Sequence, residues 1–344
     1  MTENPMISED SEETIAEETS ILPVGNAATI SDVSGQDSRR QFQEALTAWL
    51  MRSPSQDTRS NYSRDLRQFC EFAGIGPDQL DRLTQVVPWQ VAAWRDHLRE
   101  RGMTNSTIRR KMTVLRSMFS FLQSYGHTGP NPAHSDFVSA PSVPRDGKTV
   151  GLTPAECRLL LDAPDPTKPS GVRDRALLAV LAYSACRVGE LVKLRVGDFK
   201  STSGHRILEI TGKGGKERRV PLHPEAFERL EQWLDLANLR DDLEGPMFRP
   251  TKTPRGQGSD GFLRQPISRR AVQLMVEKHV RRLGLDPSVT VHSFRVTALT
   301  TARERGCDIV DIQDFAGHAD PRTTLTYIRN RDRLSRSPAY VLIY

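Results

Sequence analysis

Near its C-terminal end the chain reads His292-Ser293-Phe294-Arg295, then an apolar-periodic segment, then Gly317-His318, then Thr326-Tyr327-Ile328. The spacing predicts short helices with two histidines, an arginine and a tyrosine at their edges. Cationic and nucleophilic groups collected at helix edges suggest a site that handles an anion. Each residue also has an ordinary reading. His292 can serve a helix start, His318 can sit exposed after a C-cap glycine, and Tyr327 can simply pack between Leu325 and Ile328. The stretch decides the fold only together with what lies upstream.

Moving towards the N-terminus, the pattern stays largely helical. Val272, Met275, Val276 and Val280 mark a helix that ends before Gly284, a residue suited to a left-handed cap. Residues 249–266 are rich in Pro, Gly and Arg and predict an exposed loop. Phe227, Leu230, Trp233 and Leu234 mark another helix. The period changes over 205–222, where His205–Thr211 and Glu217–Leu222 flank Gly212-Lys213-Gly214-Gly215-Lys216, the pattern of a β-hairpin. Before it stands Arg187-Val188-Gly189-Glu190-Leu191, preceded by a helix from about Val172 to Ala185 with Leu177, Leu178, Val180 and Leu181 inside. Thr153-Pro154-Ala155-Glu156 has the form of a capping box with proline at the first helical position, so a new domain opens there.

Residues 127–150 hold Pro130, Pro132, Pro141 and Pro144 without periodicity and are expected to form a linker. Residues 39–126 predict four amphipathic helices, among them a long one from about Asn105 to Gln123 with Ile108, Met112, Leu115, Met118, Phe119 and Leu122 on one side. Its opposite face is expected to carry Arg109, Arg110, Lys111 and Arg116, a face that can lie along phosphates or merely be solvated. Residues 1–38 are polar, acidic and aperiodic and are expected to be a disordered tail. The expected architecture is therefore mainly α with a small β-sheet: a helical domain at 39–126, a mixed α/β domain at 151–332, and an apolar tail at 333–344.

Charge and composition narrow the class. The net charge is +5, but residues 1–38 hold nine acidic residues and no Lys or Arg, so residues 39–344 carry +14. That excess is the footprint of a nucleic-acid binder, although charge alone also fits a solubilising surface. No apolar run approaches the roughly 20 residues needed to span a bilayer, and the N-terminus lacks the basic-then-apolar form of a signal peptide. Cys70, Cys157, Cys186 and Cys307 show no metal-ligand spacing, which fits free thiols in a reducing cytoplasm.

Five features now stand in order: Arg187, Lys213 in its glycine-flanked turn, His292-x-x-Arg295, Gly317-His318, and Tyr327 nine residues after His318. In this order and context the chain resembles the tyrosine recombinase (phage integrase) family, with an Xer-like two-domain organisation, from about residue 40 onward. Each motif is weak alone, and the five together are hard to ascribe to coincidence.

The resemblance implies a SAM-like core-binding domain followed by a catalytic domain that exchanges DNA strands through a 3′-phosphotyrosine and a Holliday junction. It implies Tyr327 as nucleophile, Arg187 and Arg295 as the phosphate clamp, and His318 as a donor to a phosphoryl oxygen. Lys213 becomes the acid for the leaving oxygen, with Lys216 as its competitor, and His292 accepts the tyrosine proton or supports the phosphate. Glu190 orients side chains from behind.

Arginine suits the clamp because its planar donor fork matches phosphate and stays charged. The implied chemistry needs neither metal nor other cofactor, and no Walker loop occurs. The implied partners are double-stranded DNA with specific recombination sites and a homo-tetramer on that DNA, or a heteromer with a paralogous recombinase. The segment 333–344 is expected to dock on a neighbouring protomer. The family commonly has glycine where this chain has Ala185. Two other readings stay open: a type IB topoisomerase, which would only relax DNA, and a non-catalytic DNA-binding protein of the same fold.

Overall fold

The computed structural model describes residues 33–143, 149–251 and 261–328, with backbone alone at 33–36, Lys213, Tyr327 and Ile328. The expected disordered leader up to residue 32 and the expected docking tail 333–344 lie outside the described residues. The chain divides into two units, Met1–Pro144 and Arg145–Tyr344.

The first unit is built on α1 (Val33–Met51), α2 (Gln56–Ala73), α3 (Pro88–Glu100) and α4 (Asn105–Ser124). Helix α1 starts at Val33, six residues before the expected domain start. Adding a polar turn to a helix that is already nucleated costs little, so it escapes an argument from apolar periodicity. Ser55 caps α2 and Thr104 caps α4, each side chain accepting from a first-turn N–H. Proline at the first position of α3 gives up an N–H that would have no intrahelical acceptor. Helix α4 packs against all three others and supplies the centre of the core with Met112, Leu115 and Phe119. Trp49 donates to Ser117 at 3.1 Å, and Phe69 meets Trp94 edge-on at 5.2 Å.

Two of the four basic residues expected on an outer face of α4 do not lie on one. Lys111 is 3 % exposed and bonds Asp65 at 2.7 Å and the Gln68 side chain. It stands three residues after Ile108 and four before Leu115, which is the spacing of the buried stripe. Arg110 grips the other side of the same Asp65 carboxylate. Arg116 turns inward, donating to the carbonyl oxygens of Ala133 and Val138. Arg109 stays exposed.

The segment that Arg116 holds departs from the expected linker. Ala133 and Val138 are buried in the core of the first unit, and Asn131 ties them to α4 through Ser120 and the Arg116 carbonyl. The prolines suppress helical periodicity here without preventing packing.

In the second unit, α6 (Pro169–Ser184) is the central helix. Ala176 to Leu181 are all buried, as an all-round apolar helix requires. It is surrounded by α5 (Pro154–Asp162), α8 (Pro224–Leu236) and α10 (Val291–Glu304). The capping box at the start of α5 is present, Thr153 and Glu156 exchanging hydrogen bonds. Thr297 of α10 accepts from the Leu152 N–H at 2.7 Å, pinning this entry.

A single-turn helix α7 (Val188–Leu191) leads to an antiparallel sheet of β1 (Phe199–Thr202), β2 (His205–Thr211) and β3 (Glu217–Pro221) in the order β1-β2-β3. Then come α9 (Arg269–Arg282), α10, α11 (Ile309–Ala316) and α12 (Pro321–Ile328). Where 249–266 was expected to be an exposed loop, Arg249 is buried, bonded to Asp242 and the Pro246 carbonyl, and Thr251 bridges to Phe262. Residues 252–260 of that loop lie outside the described residues. The architecture is mainly α with one small sheet.

The buried Asp65 gives a direct test of this reading of α4. Replacing it with alanine leaves Lys111 without its carboxylate, which should cost about 3–5 kcal/mol in urea unfolding, while Arg109→Ala should change stability by no more than about 0.5 kcal/mol. A loss below about 1 kcal/mol for Asp65→Ala would show that Lys111 reaches water.

Candidate active site

The site is assembled at the ends of helices around α6. Helix α6 stops at Ala185, whose backbone is left-handed (φ 51°), a conformation that costs an alanine more than a glycine. The reversal points the Ala185 carbonyl at the guanidinium of Arg295, on the first turn of α10. Arg295 is 1 % exposed. It also donates to the Ala316 carbonyl at 2.7 Å and approaches His318 Nε2 at 2.6 Å.

Two residues after Ala185 comes Arg187, at the entrance to α7. Its backbone N–H and its guanidinium both donate to Glu190, each at 2.9 Å. Glu190 thus reaches back one turn to cap the helix start and fixes the arginine side chain at the same time. Burial pushes the Glu190 carboxyl up, but hydrogen bonds from Arg218 and from Arg187 outweigh it and hold the group below the usual carboxylate range.

Arg218, on β3, was not among the residues anticipated from the sequence. Its guanidinium donates to Glu190 at 2.8 Å and lies against the turn at Gly317, where a Cβ would meet it at 3.0 Å. Gly317 is also left-handed (φ 63°), so this position excludes a side chain on two counts. A signal did exist in the sequence. Arg218 stands two residues before buried Val220, so strand alternation turns it to the core face, where an arginine needs a carboxylate.

His318 follows Gly317 and is 3 % exposed rather than a surface residue. Arg295 can only donate, so the ring accepts at Nε2 and carries its proton at Nδ1. That Nδ1 lies 2.9 Å from the hydroxyl of Thr324, a fully buried residue of α12. Burial, then the charges of Arg295, Arg187 and Arg218, bring the His318 pKa down to about 4. His292, half-buried on the first turn of α10, is also lowered, by burial first and then by Arg295 and Arg187. Both shifts favour the neutral ring.

The structure therefore brings Arg187, Glu190, His292, Arg295 and His318 into one electrostatic neighbourhood. Lys213 opens the turn between β2 and β3, whose Gly214 and Gly215 both take positive φ, and Lys216 is exposed beyond it. Tyr327 lies on α12, three residues after Thr324, and α12 packs on α10 and α11. Arg109, Arg110, Lys111 and Arg116 belong to the other unit.

A fold whose second half gathers two arginines and two neutral histidines around one point has a counterpart among known proteins. The model of the phage integrase family matches residues 151–333, and that of the phage integrase N-terminal SAM-like domain matches residues 40–126. The chain belongs to the phage integrase family. Among its relatives, tyrosine recombinase XerC of Thermodesulfovibrio yellowstonii is 30% identical over 284 residues, covering 81% of this chain and 87% of the relative. Tyrosine recombinase XerD of Listeria innocua is 30% identical over 280 residues, covering 79% and 88%. This member is accordingly a tyrosine recombinase.

Solved structures share the fold. A lambda integrase dimer bound to a COC′ core site superposes with a TM-score of 0.65 at 18% identity, over 87% of this chain and 78% of that one. XerH bound to palindromic difH gives 0.62 at 17%, over 91% of each.

The depressed histidines make the recombinase acid-sensitive in a defined window. His318 titrates near 6.5 when unfolded and about 4 when folded, so the unfolded state takes up its proton first and stability falls as pH drops from about 6.5 to about 4. His292 is shifted in the same direction and adds to the slope. Thermal melts across this window should show His318→Asn losing less stability than the parent. Equal losses would mean that His318 is not held neutral by the fold.

Proposed function

We propose that this tyrosine recombinase cleaves and rejoins double-stranded DNA at specific sites, with Tyr327 as nucleophile. The observation that carries the reading is that Arg187, Arg295, His292 and His318 share one electrostatic neighbourhood in the unit that bears Tyr327, with Arg295 bonded to His318. A phosphodiester under attack gathers negative charge on its non-bridging oxygens, and pre-placed guanidinium donors compensate it without reorganising. Arg187 and Arg295 take that task, and Glu190 keeps Arg187 in place.

The tyrosine Oη attacks phosphorus as His292 takes its proton, and the bond to the 5′ oxygen breaks as Lys213 protonates that oxygen. The product is a 3′-phosphotyrosine and a free 5′ hydroxyl. Attack by a 5′ hydroxyl of a second duplex reverses the step and exchanges the strands, and the bond energy is retained throughout. Two such rounds pass through a Holliday junction. Because His318 Nε2 accepts from Arg295 in this structure, it becomes a donor to a phosphoryl oxygen only when Arg295 redirects that hydrogen bond to the phosphate.

The charge of +14 over residues 39–344 suits a chain that closes on DNA phosphates. Exposed Arg109 remains a candidate phosphate contact, and Arg110 a weaker one because Asp65 holds it. Lys111 and Arg116 are withdrawn from that role by their burial and internal bonds. The working assembly is a homo-tetramer on two sites, or a heteromer with a paralogous recombinase. A lambda integrase tetramer bound to a Holliday junction has the same fold, with a TM-score of 0.65 at 17% identity over 89% of this chain and 83% of that one. The proposed location is the cytoplasm, and among the described residues no helix is long and apolar enough to cross a membrane.

The test uses random duplexes selected for retention by the protein through denaturation, then remade with a nick beside the cleavage position. The wild type should trap a covalent adduct, and Tyr327→Phe should bind the same duplex without forming one. An undiminished adduct with Tyr327→Phe would move the nucleophile elsewhere. No adduct with any duplex would favour a DNA-binding protein without strand chemistry.

A further inference from the structure

The contact between His318 and Thr324 asks for an explanation that packing alone does not provide. Thr324 is fully buried, and its hydroxyl meets Nδ1 of the ring at 2.9 Å. It sits on the helix that bears Tyr327, one turn earlier. On the other side of the ring, Nε2 accepts from Arg295. The backbone of His318 is fixed as well, since its N–H donates to the Gln313 carbonyl and its own carbonyl accepts from the Gln313 side chain. Among the described residues, the charged groups that act on the ring include Arg295 on α10, Arg187 and Glu190 at α7, and Arg218 on β3.

A hydroxyl differs from every other small side chain in that it donates or accepts by rotating its hydrogen. Beside an imidazole that must change its hydrogen-bonding role, this property matters. With Arg295 donating to Nε2, the ring needs an acceptor at Nδ1. With a phosphoryl oxygen in place, the ring is useful only as a donor at Nε2, and it then needs a donor at Nδ1. Valine would fill the same volume and could do neither.

We propose that Thr324 is a positioning residue whose hydroxyl accepts from His318 Nδ1–H while Arg295 bonds Nε2. The same hydroxyl donates to Nδ1 once the Arg295 N–H, still on the guanidinium, redirects its hydrogen bond from Nε2 to a phosphoryl oxygen, so that Nε2–H can also donate to that phosphate. This rests on the strand-cleavage reading given above. No bond to phosphorus is involved. The ring stays neutral, its single proton moves from Nδ1 to Nε2 by exchange with solvent, and the threonine hydrogen rotates. The arrangement also couples the histidine ring to α12, the helix that bears Tyr327.

The experiment compares the wild type with Thr324→Val and Thr324→Ser in the full chain. Long-range nitrogen–proton NMR of the DNA-free protein should show a neutral His318 with its proton on Nδ1. A proton on Nε2 in that state overturns the proposal whatever the protein does to DNA. On the selected nicked duplex, Thr324→Val should form adduct about 10- to 100-fold more slowly at unchanged DNA affinity, and Thr324→Ser should recover most of the rate.

A Thr324→Val rate equal to the wild type overturns the proposal. So does an equal loss for Ser and Val, since that marks packing rather than hydrogen bonding. If the wild type itself forms no adduct, the strand-cleavage reading falls, and the NMR result alone decides the tautomer.

Discussion

A guanidinium buried to 1 % exposure, held by two carbonyl oxygens and an imidazole, is the constraint on which the second unit depends. Burying a positive charge is costly unless hydrogen bonds satisfy it. Among the acceptors that Arg295 meets are the carbonyl oxygens of Ala185 and Ala316 and the ring of His318. Each lies at or beyond the end of a helix, and each is in place because that helix stops where it does. Ala185 ends α6 in a left-handed turn, and Gly317 does the same for α11. The site is thus a meeting of helix ends around one cation.

The same logic accounts for the ring of supporting groups. Glu190 is the carboxylate between Arg187 and Arg218, and its two guanidinium partners neutralise it. It therefore positions Arg187 without competing for the central guanidinium. Arg218 joins this carboxylate to the Gly317 turn, so the sheet and the histidine turn are located against each other by one side chain. Burial first, and then the nearby arginine charges, lower the pKa of both His318 and His292 and so favour their neutral forms. A neutral ring is what proton acceptance by His292 requires.

Much of this was legible from the residues. The helices of both units follow apolar spacing, and the hairpin follows the change of period at His205 with the glycines after Thr211. Strand β1 was not legible, because Phe199-Lys200-Ser201-Thr202 offers no apolar alternation and is held at the sheet edge by backbone pairing. The first unit packs past the expected 39–126 at both ends. Val33–Ser38 carries no apolar stripe, and Ala133 and Val138 are buried by tertiary packing among prolines. On α4, Lys111 stands at the spacing of the buried stripe and Arg116 bonds the Ala133 and Val138 carbonyls, so neither lies on the expected outer face. In the candidate site the motif residues were legible by type and order. Arg218 and Thr324 were not, since a second arginine in a strand and a threonine in a short helix become informative only when their partners are known.

The central claim is that the arginines compensate charge on a DNA phosphate, and one comparison tests it directly. Adduct formation is measured for the wild type and Arg187→Ala on the selected duplex, and again with a methylphosphonate at the cleavage position. The methyl group removes the non-bridging charge. Charge compensation predicts a large defect for Arg187→Ala on the phosphate and a much smaller one on the methylphosphonate. An equal defect on both would contradict it and leave Arg187 a structural partner of Glu190.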